Sequence, residues 1–546
     1  MMMSATTTTT TGGDEAAEGE VTKIRISLIL SPSYHHHDNR DSLQLPNEPI
    51  AVPATIRKRG LSAVVNHLLG RRVPTDNNDD DHDNNNEEEE EEEEENDKLS
   101  AIPFDFLIND KLLRLPLDST VRKEGLSTEH AVIVHYFPAR LPPRKGGETE
   151  TLPDWITAMD YASIDSANTG MLVVGGADGI VRAYSSSTTG PTTGGDSSSN
   201  RSLNKIVCSA SAHAGSIQCL SVSSLIQNNN NNINNINKDD SNRNGGDGVL
   251  VATGSMDQTL VTHILRENTL NLHALYSGGH ANSISSVALA LNGQMMASGD
   301  WDGGISLWSV PSSSSSSSSS SGIVADDNND EDDKPKKKRK GSSATMMTTG
   351  NDVDGIHEVK PLTSVKAHSS NVAGLIWGHH DGNSSPTTLL SGSWDHGLKV
   401  YDTARMDCVL TLNGSRVVSA MDRCSNGNVV ATGSPDCIVR LWDMRTNNNG
   451  SSVSNHIGGM DKSLRQSHKS WVSSVKWSPT DPFILASTSH DGTMKIWDIR
   501  SYLPLHTVNA VNNKKLGEKA LCLAFGNGVI YSGGSDCVVK QFSCNV

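Results

Sequence analysis

Two stretches of this chain each contain a histidine, a serine and an aspartate at similar spacing, a combination that could perform acyl-transfer chemistry. The two sets are His280, Ser298 and Asp302, and His468, Ser487 and Asp491. In a hydrolase, a histidine held by an aspartate removes the proton from a serine hydroxyl, which then attacks a carbonyl carbon. A hydrolase has one such triad, whereas these sets recur along the chain. The repetition therefore favours a structural hydrogen-bond set over a catalytic one.

The aspartates belong to a repeat that occurs seven times in the C-terminal two-thirds of the chain. The repeated aspartates are Asp178, Asp257, Asp302, Asp395, Asp436, Asp491 and Asp536. Six positions after them stand Tyr184, His263, Trp308, Tyr401, Trp442, Trp497 and Phe542. Four positions before them stand Val174, Thr253, Ser298, Ser391, Thr432, Ser487 and Ser532. A repeat with this spacing predicts one supersecondary unit for each copy, stacked on its neighbours.

Strand geometry explains the spacing. The hydroxyl lies on one strand, the aspartate caps a tight turn, and the large residue lies on the returning strand. A histidine precedes the aspartate in four copies, as His280 does for Asp302 and His468 for Asp491, with His213 and His368 at longer distances. We expect each histidine to bond the turn aspartate and tie the edges of its unit together. Copies one, five and seven lack the histidine.

Short signatures within the repeats resemble those of the WD-repeat family. They are Gly279-His280, Trp442-Asp443 and Trp497-Asp498. The resemblance implies a seven-bladed β-propeller over residues 155–546. The last repeat stops soon after Phe542, so its blade needs a fourth strand from elsewhere. We expect residues 140–154, which join the propeller to the preceding domain, to supply that strand and hide both edges.

The N-terminal part predicts a smaller domain over residues 21–139. Strand patterns cover residues 21–30, 50–60 and 131–137, a helix pattern covers 61–70, and a hairpin within 102–117 turns at Asn109-Asp110. This order is typical of a ubiquitin-like β-grasp fold, so the predicted fold class of the whole chain is mainly β. Residues 1–20 are expected to be a disordered leader.

Low-complexity segments interrupt both domains. They are an acidic insert at 76–98 and polar inserts at 185–200, 227–247, 311–360 and 446–455. Polar homopolymers bury too little apolar surface to offset their ordering entropy, so we expect disordered loops there. The acidic insert also dominates the net charge of −17, because fifteen acidic residues lie between Asp76 and Asp97. The charge of the whole chain therefore excludes neither nucleic-acid nor protein partners.

Composition and motifs argue against several classes of protein. The chain has no Walker-type glycine loop, no His-Glu-x-x-His, no serine elbow and no dinucleotide fingerprint, so we expect no enzyme activity, cofactor or small-molecule substrate. Its eight cysteines include no Cys-x-x-Cys pair, and His35–His37 is interpreted as a polar loop, so no intrinsic metal site is predicted. No apolar run approaches a membrane span, and the start lacks a secretory pattern. We expect a soluble intracellular protein.

One basic tract predicts the subcellular location of the protein. It consists of Lys334, Lys336, Lys337, Lys338, Arg339 and Lys340, with one proline inside it, in an otherwise acidic and serine-rich insert. An accessible run of basic side chains can bind the acidic groove of a nuclear import receptor. A solvated charge run or a tether for RNA phosphates would be the alternative. The expected location is the nucleus.

Three N-terminal segments indicate which group of WD-repeat proteins the chain resembles. LSAVVNHLLG (61–70), PFDFLIND (103–110) and GLSTEHAVIVHYFPARLPP (125–143) resemble the Notchless-like ubiquitin-related domain of eukaryotic ribosome-assembly factors. Joined to seven repeats, this domain is similar to that of the WD-repeat subunits of the PeBoW complex. The resemblance implies partners of the Pescadillo and block-of-proliferation families, pre-60S particles, and a location in the nucleolus and nucleoplasm. Direct contact with rRNA stays open.

The same resemblance implies a site. In these families an acidic residue before the last strand of the ubiquitin-like domain completes a metal-ion site in midasin, a giant AAA ATPase. The matching residue here is Glu129, with Thr128 as an assisting neighbour. A hard divalent ion with one open position accepts a carboxylate from a partner protein. A solvated surface charge is the alternative for a single loop glutamate.

The sequence thus favours a non-catalytic assembly factor for the large ribosomal subunit, which would promote maturation of 5.8S and large-subunit rRNA and be released by midasin. Two alternatives remain. A Notchless-type factor would act later in assembly and would need an eighth blade, for which the 311–360 insert shows no strand pattern. A substrate adaptor of a ubiquitin ligase would use the propeller to bind degrons.

Overall fold

The computed structural model describes residues 22–32, 43–71, 100–163, 169–187, 206–224, 248–266, 268–291, 293–311, 357–378, 387–427, 429–444, 460–511, 517–526 and 528–544. The chain divides into two compact units, residues 1–141 and 142–546. None of the helices in the described ranges has the length and apolar character needed to cross a membrane. All eight cysteines are free thiols.

In the N-terminal unit, the described residues form one mixed sheet and two helices. Its elements are β1 (Lys23–Leu30), β2 (Ile50–Pro53), α1 (Lys58–Leu68), β3 (Phe104–Ile108), β4 (Lys111–Leu112), α2 (Leu117–Lys123) and β5 (Val132–Pro138). The strand order is β2-β1-β5-β3-β4, and β1 and β5 run parallel to each other. The last strand therefore lies in the middle of the sheet, between the first strand and β3, as in a β-grasp fold.

Local sequence explains most of these elements. In β1 the alternate residues Ile24, Ile26 and Leu28 are buried and face the core of the unit. Asn109 and Asp110 both have positive φ, 49° and 57°, which a two-residue hairpin turn requires and which these side chains tolerate. The hairpin therefore turns where the sequence predicts.

Two expectations for this unit need correction. Helix α1 begins at Lys58, three residues before the predicted start at residue 61, and its C-terminal turn ends at Gly70 with φ of 68°. Helix α2 was not predicted at all, because its seven residues, LDSTVRK, are too few to show helical periodicity. Thr120 and Val121 of α2 are buried, so tertiary packing supports this short helix.

The described residues of the C-terminal unit form seven sheets, here called blades 1 to 7 in chain order. The chain first forms β6 (Arg144–Glu148), and then blade 1 with β7 (Ile156–Ser163), β8 (Thr169–Gly176), β9 (Ile180–Ser187) and β10 (Ile206–Ser211). Blade 2 has β11 (Ile217–Ser224), β12 (Val249–Ser255), β13 (Leu260–Arg266) and β14 (Thr269–Tyr276). Blade 3 has β15 (Ile284–Leu289), β16 (Met295–Asp300), β17 (Gly304–Ser309) and, after β18 (His357–Val359), β19 (Thr363–Lys366).

The remaining blades follow the same antiparallel order. Blade 4 has β20 (Val372–Trp377), β21 (Thr388–Ser393), β22 (Gly397–Asp402) and β23 (Asp407–Asn413). Blade 5 has β24 (Ala420–Arg423), β25 (Val429–Gly433), β26 (Val439–Asp443) and β27 (Met460–Ser463). Blade 6 has β28 (Val472–Trp477), β29 (Ile484–Ser489), β30 (Thr493–Asp498) and β31 (His506–Asn509). Blade 7 has β32 (Ala520–Gly526), β33 (Val529–Gly534) and β34 (Lys540–Ser543), with β6 as its fourth strand.

The blades follow one another in a ring. The first strand of each blade contacts the first strand of the next, and β32 of blade 7 contacts β7 of blade 1. A glycine on the second strand makes the approach close. A Cβ atom at Gly433 would lie 2.5 Å from Val472 of the next blade, and one at Gly533 would lie 2.7 Å from Ile156 of blade 1. These small residues let branched side chains of the neighbouring blade pack directly against the sheet.

Strand β6 joins the two ends of the propeller. It pairs antiparallel with β34, and Glu148 stands opposite Lys540 while Lys145 stands opposite Phe542. Beyond the strand, the backbone N–H of Thr149 donates to the carbonyl of Val539 at 3.0 Å. The fourth strand of blade 7 thus comes from the segment that precedes blade 1, and the edge of β34 is covered.

The structure changes the predicted limits of two inserts. Strand β9 extends to Ser187, inside the segment 185–200 that was predicted to be disordered. Strand β18 lies inside the predicted insert 311–360 and pairs parallel with β14, so that blade 2 has a fifth strand. An open strand edge offers unpaired N–H and C=O groups, which explains how a short segment of low β-propensity is recruited. The 227–247 and 446–455 inserts, the acidic insert and the leader fall outside the described residues.

Candidate partner-binding site

The loop that carries Glu129 is held at its start by the end of α2. The N–H of Gly125 donates to the carbonyl of Arg122 at 3.2 Å, and the N–H of Leu126 donates to that of Val121 at 3.0 Å. Gly125 has φ of 64°, a value that completes this C-terminal helix cap at little steric cost. The Leu126 side chain then packs against the core of the unit. The cap therefore sets the direction in which the loop leaves the helix.

The loop is held at its other end by the central strand of the sheet. Val132, the first residue of β5, is 5% exposed and belongs to the core, and β5 is hydrogen-bonded on both sides. Between Leu126 and Val132, the residues Ser127, Thr128 and Glu129 are exposed. The backbone N–H of Glu129 donates to the Ser127 hydroxyl at 3.2 Å. The loop is thus short, anchored at both ends, and presents the carboxylate to solvent.

The carboxylate has the chemistry of a ligand offered to a partner. An ionised carboxylate is a preferred ligand of hard divalent cations such as Mg²⁺ and Ca²⁺. Among the described residues, no group of three or more His, Cys, Asp or Glu is arranged to hold a metal ion. A single exposed glutamate can therefore complete a site on another protein, and it lacks the neighbours to form one within the described part of this chain.

The predicted polar sets in the blades form hydrogen-bond networks. In blade 6, His468 Nε2 is 2.8 Å from the Ser487 hydroxyl, and the Trp497 indole N–H donates to the same hydroxyl at 2.9 Å. His468 Nδ1 lies 3.5 Å from Asp491, which also accepts a bond from the Lys469 N–H. Blade 4 repeats the arrangement with His368, Ser391 and Asp395, at 2.7 and 2.9 Å.

Blade 3 differs from the prediction in its acidic partner. His280 Nε2 contacts Ser298 at 2.6 Å, and the Trp308 indole donates to Ser298 at 2.7 Å, but His280 Nδ1 contacts Asp300 at 2.8 Å. Asp302, the predicted partner, is exposed and accepts a bond from Asn282. The position of Asp300 is a serine in blades 2, 4, 5 and 6, and the longer aspartate reaches the histidine.

The blades without a histidine use a cation that sequence reasoning missed. Arg182 pairs with Asp178 in blade 1, Arg440 with Asp436 in blade 5, and Lys540 with Asp536 in blade 7; the shortest N–O distances are 2.5, 2.5 and 2.9 Å. Each cation stands four positions after its aspartate. A basic residue four positions after the aspartate, in a copy without the histidine, is the sequence signal that would predict this ion pair.

Burial and these partners set the charges of the networks. Burial alone would raise the pKa of Asp436, but hydrogen bonds and charge from Arg440 outweigh it and lower the pKa. The pKa of Asp395 is lowered in the same way, since bonds from the Ser369 N–H and from His368 outweigh burial. For His468 the largest influence is burial, which lowers its pKa against the opposing pull of Asp491. The aspartates therefore stay ionised and the buried histidine favours its neutral form.

The networks are inaccessible to a substrate. The hydroxyls of Ser298, Ser391 and Ser487 belong to residues that are 0% exposed. In blades 3 and 6 the same hydroxyl also accepts the indole N–H of the neighbouring tryptophan. A catalytic serine must reach a carbonyl carbon of its substrate. These sets therefore stabilise their blades and do not form hydrolase triads.

Two groups of predicted residues lie outside the described part of the chain. They are the import tract, Lys334 with Lys336–Lys340, and the histidines His35–His37. The predictions for both remain predictions.

Two family descriptions match the chain. The NLE (NUC135) domain matches residues 35–121, and the match ends eight residues before Glu129. The WD domain, G-beta repeat, matches residues 271–309, 359–402, 406–443 and 458–498. These four ranges lie mainly in blades 3 to 6, so the repeat matches cover fewer copies than the seven sheets of the described residues.

Curated proteins resemble the chain over nearly its whole length. A protein of Chlamydomonas reinhardtii named "Ribosome biogenesis protein WDR12 homolog" is 26% identical over 521 residues, which cover 92% of this chain and 94% of that protein. A protein of Eremothecium gossypii named "Ribosome biogenesis protein YTM1" is 26% identical over 506 residues, covering 91% and 93%. A WDR12 homolog of Arabidopsis thaliana is 26% identical over 482 residues, covering 87% and 88%.

Proposed function

This chain belongs to the family of ribosome biogenesis proteins represented by its WDR12 and YTM1 relatives, and from that premise we propose its function. It is a non-catalytic assembly factor for the large (60S) ribosomal subunit, needed for maturation of 5.8S and large-subunit rRNA. Its propeller docks in a PeBoW-type complex with partners of the block-of-proliferation and Pescadillo families. Its β-grasp domain is the handle through which the midasin ATPase releases it.

The observation that carries the proposal is the exposed Glu129 on a loop anchored at both ends. A ligand for a partner's cation must be solvent-accessible before binding and must lose little freedom on binding. The α2 cap and strand β5 restrict the loop, which lowers that entropic cost. Thr128, also exposed, stands beside the carboxylate and can donate a hydrogen bond to an oxygen of the partner site.

The propeller suits a platform for assembly. Hydrogen-bond and ion-pair networks hold blades 1 and 3 to 7, so the second-to-third-strand turn of each of these blades is fixed to its own sheet. A rigid disc with many exposed loops can hold several neighbours without chemistry of its own. The basic tract at 334–340 would direct the protein to the nucleus, with the nucleolus and nucleoplasm as its working compartments.

The handle is tested by Glu129→Gln, which keeps size and polarity but removes the charge. We expect midasin capture by the purified full-length protein to fall at least about tenfold, because truncating one partner of a desolvated charge contact costs about 2–5 kcal/mol. The variant should still co-purify with its PeBoW-type partners. In cells it should accumulate on pre-60S particles and block release in a dominant manner.

The matched control is Glu48→Gln, since Glu48 is an exposed loop carboxylate of the same unit. It should leave midasin capture unchanged. Equal capture by wild type and Glu129→Gln would remove Glu129 from the mechanism. Loss of the PeBoW-type partners with either variant would show instead that the N-terminal unit has another role.

A further inference from the structure

Exposed tryptophans lie at one end of the propeller sheets. This end carries the turns between the second and third strands and the loops that lead into each first strand, and we call it the Asp-turn face. Trp155 is 50% exposed, Trp301 41% and Trp471 46%. Backbone bonds show that they share this end, because the carbonyl of Trp155 accepts from Ala177 and that of Trp471 accepts from His490, each in a second-to-third-strand turn. Large exposed aromatic surface at loop ends is a common mark of a binding site.

The surroundings of Trp471 differ from those of the other two. Trp155 follows the exposed Asp154, and Trp301 precedes the exposed Asp302. Trp471 instead follows Lys469 and Ser470, and Lys469 is exposed. A carboxylate beside an aromatic ring repels phosphate groups, whereas a lysine attracts them. Of these three tryptophans, Trp471 is therefore the one with no carboxylate adjacent to it in sequence.

Two further cations lie near Trp471. Lys519 is exposed in the next loop and is close enough to His490 to lower its pKa, together with burial as the larger cause. The His490 ring stacks on Trp471 with centroids 5.9 Å apart and an angle of 11°. On the other side, Arg416 is 62% exposed and lies 3.4 Å from Asp436, in the turn whose Ser434 carbonyl accepts a bond from the N–H of Val472, the residue after Trp471. We call Arg416, Lys469, Trp471, His490 and Lys519 the Trp471 patch.

The loop that carries Trp471 is held in place before any ligand binds. The N–H of Lys469 donates to Asp491 at 2.8 Å, the Ser489 hydroxyl donates to the carbonyl of Ser470 at 3.0 Å, and the N–H of His490 donates to that of Trp471 at 2.9 Å. Three bonds thus pin one short loop to the adjacent turn. A preorganised ring loses little entropy when a planar group stacks on it.

The carboxylates of the patch have partners of their own. Asp491 accepts bonds from the Lys469 N–H and from Thr493 and lies near His468, while Asp436 is paired with Arg440. The ammonium groups of Lys469 and Lys519 extend from exposed residues, so they can reach a ligand. A flat aromatic stack bordered by exposed cations is an arrangement used for single-stranded nucleic acids.

We propose that the Trp471 patch binds single-stranded RNA, with a base stacked on the Trp471 indole and phosphates contacted by Lys469, Lys519 and Arg416. This inference rests on the proposed function only for the choice of RNA over DNA. A protein partner would need an apolar core at its contact, whereas Trp471 stands among polar and cationic neighbours. The base-stacking contact tolerates any sequence, because every base presents a π-face.

The test uses the full-length protein and a fluorescent single-stranded RNA of mixed sequence, about 12 nucleotides long, which suits site sizes of this kind. Trp471→Ala should raise the Kd about tenfold, and Trp471→Phe should keep most of the affinity because it retains a stacking ring. The matched control Trp301→Ala, another exposed tryptophan of the same face, should change the Kd less than about twofold.

The salt dependence identifies the phosphate contacts. Each phosphate contact to a single strand contributes about 0.7 to the slope of log K against log salt, so Lys469→Gln and Lys519→Gln should each lower the slope by about that amount. Wild type and Trp471→Ala should bind an RNA duplex of the same length equally, since its bases are already stacked.

Other outcomes would overturn the proposal. An unchanged Kd for Trp471→Ala, or an equal loss with Trp301→Ala, would exclude stacking on this patch. Unchanged RNA affinity together with lost capture of the PeBoW-type partners would identify the patch as a protein interface. Glu129→Gln should bind RNA as wild type does, so a failure of the midasin handle and a failure of this inference give different results.

Discussion

At the scale of single residues, the turn aspartate of most blades is paired either with a histidine or with a cation. Each turn aspartate except the exposed Asp302 is partly buried and needs a compensating donor. In blade 6 the donor is His468, from the loop before the blade, whereas in blade 7 it is Lys540, from the third strand. Lys540 is 1% exposed and also donates to the carbonyl of Ala510 at 3.1 Å. Its removal would leave the Asp536 carboxylate buried without its cation.

This pair predicts a large effect of Lys540→Met. The substitution keeps the volume but removes the charge, and breaking a buried ion pair from one side costs about 3–5 kcal/mol. Urea unfolding should show that loss in the free energy of unfolding. The double variant Asp536→Asn with Lys540→Met should regain much of it, because no uncompensated charge remains.

Lys495→Met is the control. Lys495 occupies the same position in blade 6, where His468 is already the partner of the turn aspartate and Lys495 donates to the carbonyl of Gln466. This substitution should cost less than about 1 kcal/mol. Similar losses of unfolding free energy for Lys540→Met and Lys495→Met would contradict the inference that Lys540 replaces the histidine as the partner of the turn aspartate.

At the scale of elements, one strand from the start of the C-terminal unit completes the last blade. Strand β6 covers the edge of β34, on which Phe542 is 2% exposed and Lys540 nearly fully buried. The segment also bonds blade 7 through Thr149 and Leu152. Without it, blade 7 would have three strands and an open edge.

We therefore expect two truncations to behave differently. Removal of residues 1–141 keeps β6, so the remaining propeller should unfold in one cooperative transition. Removal of residues 1–152 deletes β6 and should lower the Tm and cause aggregation through the open edge. Thermal unfolding followed by circular dichroism and light scattering measures both. Equal Tm values would mean that β6 adds nothing to closure.

At the scale of the whole molecule, the recurring networks link stability to pH. Burial lowers the pKa of His368 and His468 below their ordinary value of 6.5, with Lys399 and Lys495 acting in the same direction and the aspartates opposing. A histidine whose pKa is lower when folded stabilises the fold above the unfolded pKa, and this stability is lost as the pH falls. The lowered pKa values of the partner aspartates act in the same direction at still lower pH.

The expected result is a fall in the free energy of unfolding below about pH 6.5. His468→Gln should destabilise the protein at pH 7.5, and the difference from wild type should shrink as the pH approaches 5, because the wild type alone loses the contribution of His468. Urea titrations across this pH range measure the difference. A difference that stays constant or grows would show that His468 does not titrate in this way.

Sequence patterns of short range predicted much of the fold of this protein. The repeat spacing indicated seven blades and the Asn109-Asp110 pair indicated the hairpin, because both depend on residues close in sequence. Helix α2 and strand β18 were missed, because packing and an open strand edge stabilise them more than their own residues do.

The sequence by itself determined the repeat, the two-domain order and the identity of the groups available for chemistry. Only the tertiary structure decided which groups meet: Asp300 and not Asp302 with His280, Lys540 with Asp536, and β6 with the last blade. It also stacked the His490 ring on the Trp471 indole. The physical reason is that partners in a sheet lie a few ångströms apart in space while their separation along the chain, as between Glu148 and Lys540, leaves no local signal.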